Sequence, residues 1–373
     1  MKKIAILGAT GSIGNSTIDV IRKNPDYFDP ALFSAHANIE SLVKLGKEYP
    51  KARLALTGKA KHVPVDIRWT GREGLLRALE ECARSGVDIA VNGIAGADGL
   101  EPSLAALDAG MNLALANKET IVMAGEIVSM KAREKNACII PVDSEHSAIF
   151  QLLRAHGTEN LASIILTASG GPFRTLPLEQ LARVKPHDAL AHPTWNMGVK
   201  ISIDSASMAN KGLEVIEAVK LFDVPPSKVK VVVHPQSIVH SMICFLDGSV
   251  YAQLSKPDMR HPIQDALFFP GKGTVSFDTL DFTSLTIGFE APDEKRFPLL
   301  PLAYYAAKAG SLYPVAYNAA NEEAVSLFLE EKIGFLDIAR IVEIVLQQDW
   351  TGIVTLDAVW EADKKARACV YRC

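Results

Sequence analysis

The feature that most constrains this chain is an alternation, over its first 142 residues, of short β-type runs with helical stretches. Runs at 3–7, 31–35, 53–57, 88–92, 112–116 and 138–142 read as strands, and 13–23, 41–49, 73–85, 100–109 and 120–135 read as helices. Short apolar strands separated by helices cannot pair as hairpins; they stack side by side in a parallel sheet covered on both faces. The first third of the chain is therefore expected to be one doubly wound α/β domain.

At the first strand-to-helix junction the sequence reads Gly8-Ala9-Thr10-Gly11-Ser12-Ile13-Gly14. Free backbone N–H groups and the positive end of a helix at such a junction can hold a pyrophosphate. The spacing is GxxGxxG rather than the usual GxGxxG, and a tight turn could use the same glycines. Placed within a βαβ series, the loop points to a dinucleotide site on a Rossmann-like domain. Sites that prefer NAD place an acid at the end of the second strand, but here that segment reads Ser34-Ala35-His36-Ala37-Asn38. Glu40 comes later, in the expected helix. NADP is therefore favoured over NAD, with His36 or Asn38 able to donate to its 2′-phosphate; a solvated loop residue is the plain alternative for His36.

Beyond Asp143 the texture becomes mixed α+β. Two alternating runs within 230–254 are joined by Asp247-Gly248, a hairpin signal because both turn positions favour positive φ, so the second domain is expected to carry an antiparallel sheet. Residues 271–298 are rich in Gly, Thr, Ser, Asp and Pro and read as a linker. Helical patterns follow at 299–309, 315–332, 335–347 and 356–372, with Gly334 as a helix stop. The expected division is 1–133 for the dinucleotide domain, 134–268 for a central domain, 269–297 for the linker and 298–373 for a C-terminal helical bundle.

With 39 Lys and Arg against 43 Asp and Glu, the net charge of −4 argues against a nucleic-acid partner. No apolar run approaches the ~20 residues that a spanning helix needs. Met1-Lys2-Lys3 leads directly into a strand without a secretory apolar segment, so a cytoplasmic location is expected. The five cysteines, Cys82, Cys138, Cys244, Cys369 and Cys373, are scattered without a CxxC pair and read as free thiols.

Three carboxylates stand out. Pro141-Val142-Asp143-Ser144-Glu145 ends the last strand of the first domain, and residues two apart in an extended segment project to one side. Two ionised carboxylates sharing a patch repel unless a cation intervenes, and an oxygen-rich set without Cys suits Mg²⁺ or Mn²⁺. A solvated loop is the bland alternative. Glu214, in Asn210-Lys211-Gly212-Leu213-Glu214 at the start of a helix reaching Phe222, is either a third ligand or the partner of Lys211 on an exposed face.

An anion cradle is suggested by Ser169-Gly170-Gly171-Pro172 after the strand at 161–167, and by Ser205, Ser207, Asn210 and Lys211 where another strand is expected to hand over to a helix. Helix capping by the same Ser and Asn residues is the alternative. Between them, His192-Pro193-Thr194-Trp195-Asn196-Met197-Gly198 has the composition of a mobile lid or of a packed aromatic loop. His234, His240 and His261 read as either site or structural groups.

In order, the series GATGSIG (8–14), LANKET (115–120), PVDSEHSAIFQ (141–151), TASGGPFR (167–174), HPTWNMG (192–198), NKGLE (210–214), HPQSIVHSM (234–242), PDMR (257–260) and YNAANEEAV (317–325) resembles the 1-deoxy-D-xylulose 5-phosphate reductoisomerase family across the whole chain. The resemblance implies conversion of 1-deoxy-D-xylulose 5-phosphate to 2-C-methyl-D-erythritol 4-phosphate in the non-mevalonate isoprenoid pathway. NADPH and Mg²⁺, Mn²⁺ or Co²⁺ would be cofactors, and a homodimer the assembly. It implies metal ligation by Asp143, Glu145 and Glu214. Lys118 and Ser144 would touch the substrate near the metal, and Ser169, Ser205, Asn210 and Lys211 would hold its phosphate. His192 and His240 would line the site, His192 with a catalytic role, beneath a flap carrying Trp195 and Met197. Gly8, Thr10, Gly11, Ser12 and Ile13 would bind the pyrophosphate, and Gly93, Ile94, Asn117, Glu119 and Met259 would lie further along the cofactor. The segment His36-Ala37-Asn38 departs from the family pattern and bears on the strength of the NADPH preference.

A small-molecule NADP dehydrogenase would use the same glycine loop with the acids merely shaping a pocket. A redox-sensing binding module would use the loop without catalysis, and gives no reason for the acidic segment beside a phosphate cradle.

Overall fold

The computed structural model describes residues 1–190, 195, 197–275 and 277–373. Two compact units emerge: Met1–Thr120 with Val128–Ser147 and Asp258–Asp278, and Ile121–Ile127 with Ala148–Pro257 and Thr279–Cys373.

The first unit is built on β1 (Lys2–Leu7), α1 (Ser12–Lys23), β2 (Phe28–Ala35), α2 (Ile39–Glu48), β3 (Arg53–Leu56), β4 (Trp69–Thr70), α3 (Gly71–Arg84), β5 (Ile89–Asn92), α4 (Leu100–Asp108), β6 (Asn112–Leu115), α5 (Lys118–Glu134) and β7 (Ile139–Pro141). The strands form one seven-stranded sheet in the order β4-β3-β2-β1-β5-β6-β7, with every pairing parallel. Ile4, Ala5, Ile6 and Leu7 are fully buried, as a strand covered on both faces requires. The expected doubly wound domain is present, with β4 as an unforeseen edge; two residues leave too short a pattern to detect. The order reverses between β1 and β5, so their carboxyl ends open the crevice where such sheets bind ligands.

The second unit contains β8 (Leu161–Ala168), α7 (Leu178–Leu181), α8 (Pro186–Leu190), α9 (Val199–Ala206), α10 (Ala209–Leu221), β9 (Val229–Val233), β10 (Val239–Phe245) and β11 (Val250–Leu254), and α6 (Ser144–His156) leads into it. Its sheet has the order β11-β10-β8-β9. The sheet is mixed rather than antiparallel: β10 pairs antiparallel with β8 and β11, but β9 lies parallel to β8. A long crossover through four helices separates β8 from β9, and such a crossover delivers the chain in the same direction. The expected hairpin joins β10 to β11, but only Gly248 has positive φ, at 87°. Gly248 N–H donates to Phe245 O (3.0 Å) and Phe245 N–H to Ser249 O (2.9 Å), a three-residue loop with its left-handed residue last.

After β11 come α11 (Arg260–Phe268), α12 (Leu299–Ala309), α13 (Tyr313–Leu329), α14 (Phe335–Leu346) and α15 (Leu356–Val370). Gly334 stands before α14 as its N-cap, not as the stop of the preceding helix, which ends at Leu329. The compact units also divide the chain differently from the four expected segments. Residues 258–278 belong to the first unit because α11 packs on α1, and Lys2 Nζ donates to Leu267 O (3.0 Å) at the end of α11. Helices α12 and α13 pack on α10 within the second unit, where the Tyr317 hydroxyl donates to Leu299 O (3.0 Å). No described helix is long and apolar enough to cross a membrane.

Gly212 on α10 sits where Tyr317 and Ala303 close in: a Cβ there would stand 2.6 Å from Tyr317 Oη and 2.8 Å from Ala303 Cβ. Gly212→Ala is therefore expected to destabilise the protein by about 1–3 kcal/mol through overpacking, read as a lowered urea midpoint; an unchanged midpoint would contradict this packing.

Candidate active site

At the β1 end, Gly8 adopts φ +78°, and a Cβ there would meet Gly93 O at 3.0 Å. Its N–H donates to Ser34 Oγ (3.0 Å). Gly14 lies in the first turn of α1, where a Cβ would stand 2.4 Å from Ala9 and Gly8 backbone atoms. The third glycine thus lets helix and strand touch. Gly11 is the N-cap of α1 and no side chain caps that end, so the N–H groups of its first turn are open to an anion. Thr10 and Ile13 are half-buried there and Ser12 is exposed.

At the end of β2, His36 is exposed with Nδ1 3.1 Å from Thr57 Oγ1. Asn38 caps α2 by accepting from Ser41 N–H (3.0 Å), and Glu40 lies in that helix as expected. At the ends of β5 and β6, Asn92 Oδ1 accepts from Ile94 N–H (3.0 Å), while its amide donates to Gly99 O and Ser103 Oγ. Asn117 caps α5 through Oδ1 to Thr120 N–H (3.0 Å), and its amide donates to Ile94 O (2.7 Å), Gly96 O (2.9 Å) and Glu119 Oε2 (2.9 Å). Asn117 and Glu119 thereby brace the loop of Gly93 and Ile94 from beneath. Met259 precedes α11 and is half-buried.

The acids do not lie in an extended segment. Asp143 immediately precedes α6 and Glu145 is in its first turn, so a helical start rather than strand alternation brings them together. Each offers a carboxylate oxygen, within 4.8 Å of the other. The Ser144 hydroxyl donates to Glu145 Oε2 (2.6 Å). Lys118, the first residue of α5, places Nζ 2.6 Å from Asp143 Oδ2, and both side chains are largely buried. On the other oxygen, His146 Nδ1 stands 3.3 Å from Asp143 Oδ1. Burial pushes the Asp143 pKa up, but the Lys118 ammonium and the His146 hydrogen bond outweigh it and hold the carboxyl well below the ordinary range. His146 was not foreseen; its place three residues after Asp143 at a helix start was the available signal.

In the second unit Glu214 is 1% exposed on α10. Asn210 Nδ2 donates to its Oε1 (2.6 Å) and the Lys211 ammonium to its Oε2. The Lys211 pairing expected of an exposed face is present, but buried, where an ion pair contributes little net stability. Glu217, one turn further and equally buried, was also not singled out from the sequence.

Ser169 precedes Gly170 (φ +83°) and Gly171 (φ +68°), and a Cβ on Gly171 would stand 2.6 Å from Ser205 O. The glycines therefore seat the loop after β8 directly on the end of α9. The segment carrying Ser205 and Ser207 is a helix-to-helix junction, not a strand-to-helix one: Met208, at φ +61°, turns α9 into α10, whose first turn carries Asn210 and Lys211. Met208 lends α10 no side-chain cap, but Ser207 Oγ accepts from Ala209 N–H (3.4 Å) at its start. His240 is buried with Nε2 3.2 Å from Ser255 O, and its ring centroid lies 6.2 Å from that of half-buried Trp195. Met197 is half-buried, and His192 lies outside the described residues. His234 is structural: Nδ1 donates to Gly288 O (2.8 Å) and Nε2 accepts from Ile238 and Val239 N–H.

Three family descriptions match the chain: 1-deoxy-D-xylulose 5-phosphate reductoisomerase over residues 4–125, its C-terminal domain over 139–222, and a DXP reductoisomerase C-terminal domain over 254–369. The chain belongs to the 1-deoxy-D-xylulose 5-phosphate reductoisomerase family. A reductoisomerase of Chlorobaculum tepidum is 50% identical, with 98% of each chain covered, and one of Treponema pallidum is 47% identical over 100% of this chain and 97% of its own. Among solved structures, a DOX-P reductoisomerase complexed with NADPH, fosmidomycin and magnesium superposes with a TM-score of 0.91 at 38% identity, covering 100% of this chain and 98% of its own. The Zymomonas mobilis reductoisomerase complexed with NADPH gives 0.89 at 42% identity, with the same coverage.

Within this reductoisomerase fold Asn117 ties the loop after β5 to the start of α5 by one side chain. Asn117→Ala is expected to cost about 2–3 kcal/mol, from the lost cap and two unsatisfied carbonyls, measured by denaturant unfolding. A cost below about 0.5 kcal/mol, the level of an ordinary surface change, would contradict that role.

Proposed function

We propose that this chain converts 1-deoxy-D-xylulose 5-phosphate to 2-C-methyl-D-erythritol 4-phosphate in the non-mevalonate isoprenoid pathway, with NADPH and a divalent cation. The observation that carries the reading is the buried Lys118–Asp143 pair beside Glu145, in a chain of this family. The donors are carboxylate oxygens, that of Asp143 kept ionised by the neighbouring Lys118, which fits a hard ion such as Mg²⁺ or Mn²⁺. Asp143 and Glu145, with Glu214 of α10, would hold it. When bound, the cation supplies Lewis acidity toward the substrate's carbonyl and hydroxyl oxygens, and NADPH supplies the hydride that reduces the rearranged aldehyde.

The chain's own groups do the rest. Lys118 donates to a substrate oxygen that gains negative charge as the C3–C4 bond breaks, an interaction strongest in the transition state. Ser144 orients the sugar backbone from the start of α6. Ser169, Ser205, Asn210 and Lys211 take the phosphate, so that the fragment carrying it stays in place until the two rejoin as the branched aldehyde. His192 and His240 line the pocket, and Trp195 and Met197 exclude water from it. Gly8, Thr10, Gly11, Ser12 and Ile13 receive the pyrophosphate. His36 and Asn38 lie at the adenosine end, and Gly93, Ile94, Asn117, Glu119 and Met259 lie toward the nicotinamide.

In functional terms 1–133 binds coenzyme, 134–268 carries the chemistry and 298–373 buttresses it beyond the linker at 269–297. A cytoplasmic homodimer is the assembly this reading favours.

Glu214→Gln keeps the shape of the side chain and removes its charge. Metal-supported turnover is expected to fall by more than about a hundredfold, while NADPH binding by fluorescence titration stays at the wild-type value. Full turnover in that variant would refute the ligand assignment.

A further inference from the structure

The segment at the end of β2 leaves the 2′-phosphate of NADPH without a fixed cation. A phosphate monoester carries a charge of about −2 near neutrality and needs fixed positive charge or several donors. The end of β2 supplies neither. Thr57 Oγ1 donates to Ala35 O (3.4 Å) and engages Nδ1 of His36 (3.1 Å), so one of the two ring nitrogens is already taken. Asn38 Oδ1 is committed to the α2 cap, so that residue can offer only a neutral amide. Glu40, in the first turn of α2, adds negative charge nearby.

The neighbouring loop answers this need. Gly58 N–H donates to His36 O (2.8 Å), and a Cβ on Gly58 would stand 2.2 Å from that oxygen, so the chain leaving β3 passes directly against the backbone of His36. Lys59, Ala60, Lys61 and His62 follow at once, all exposed. Lys59 and Lys61 make no ion pair among the described residues. The other arginines of this edge are engaged: Arg68 lies over the Trp69 ring, 5.2 Å from its centroid, and Arg72 pairs with Glu101. Asp66 is the loop's own acid.

We propose that Lys59 and Lys61, on the loop after β3, hold the 2′-phosphate and set this enzyme's preference for NADPH over NADH. The long flexible stem of lysine suits a point-charge contact made across a loop. Removing both would leave the pyrophosphate site at Gly8–Gly14 untouched, because that site uses backbone N–H groups of a separate junction. The inference rests on the reading of that glycine loop as the coenzyme site.

The test is fluorescence titration of NADPH and of NADH into the wild-type protein and the Lys59→Ala/Lys61→Ala variant. Both lysines are exposed, so the variant is expected to fold, with circular dichroism as the check. NADPH affinity should fall by about tenfold or more, the scale of a charged hydrogen bond to phosphate, and NADH affinity should not move. Unchanged NADPH affinity, an equal loss for both coenzymes, or a wild type without preference would each overturn the assignment. A wild type that binds neither coenzyme would overturn the glycine-loop reading instead.

Discussion

The active site depends on keeping a buried carboxylate charged. Asp143 is enclosed at the start of α6, where burial alone would favour its neutral form, and it is held ionised by Lys118 on one oxygen and His146 on the other. That requirement places the first residue of α5 beside the first turn of α6, with Asp143 and Glu145 at the carboxyl edge of the sheet. It also explains why Asn117 is so heavily bonded: the residue before Lys118 fixes the start of α5 and with it the position of the ammonium.

The glycines do complementary work. Gly14 allows α1 to touch β1, Gly8 allows β1 to approach the loop after β5, and Gly171 seats the serine loop on α9. Each removes a side chain where two backbones must meet.

Much of this was legible in the sequence, for local reasons. Parallel strands are continuous apolar runs and all their helices but α3 begin after glycine or asparagine, so the alternation could be read directly. What could not be read was nonlocal or ambiguous in period. Ile201-Ser202-Ile203-Asp204 alternates like a strand but lies in α9, because Ser202 and Asp204 are buried by packing that a local pattern does not encode. Met208 in a left-handed conformation gave no glycine signal for the turn between two helices. The parallel pairing of β8 with β9 depends on where a long crossover returns. At the acidic segment, the extended geometry expected for Asp143 and Glu145 does not hold, because α6 begins at Ser144 and a helical start brings them together. His146 escaped notice because histidine at a helix start is usually structural.

The central claim is that one enzyme couples metal-dependent rearrangement of a phosphorylated ketose to NADPH oxidation. The most direct measurement follows NADPH absorbance with 1-deoxy-D-xylulose 5-phosphate present, first with Mg²⁺ and then after chelation. The expected result is oxidation that stops on chelation and yields 2-C-methyl-D-erythritol 4-phosphate. Oxidation unaffected by chelation, or none from a folded protein that binds NADPH, would contradict it.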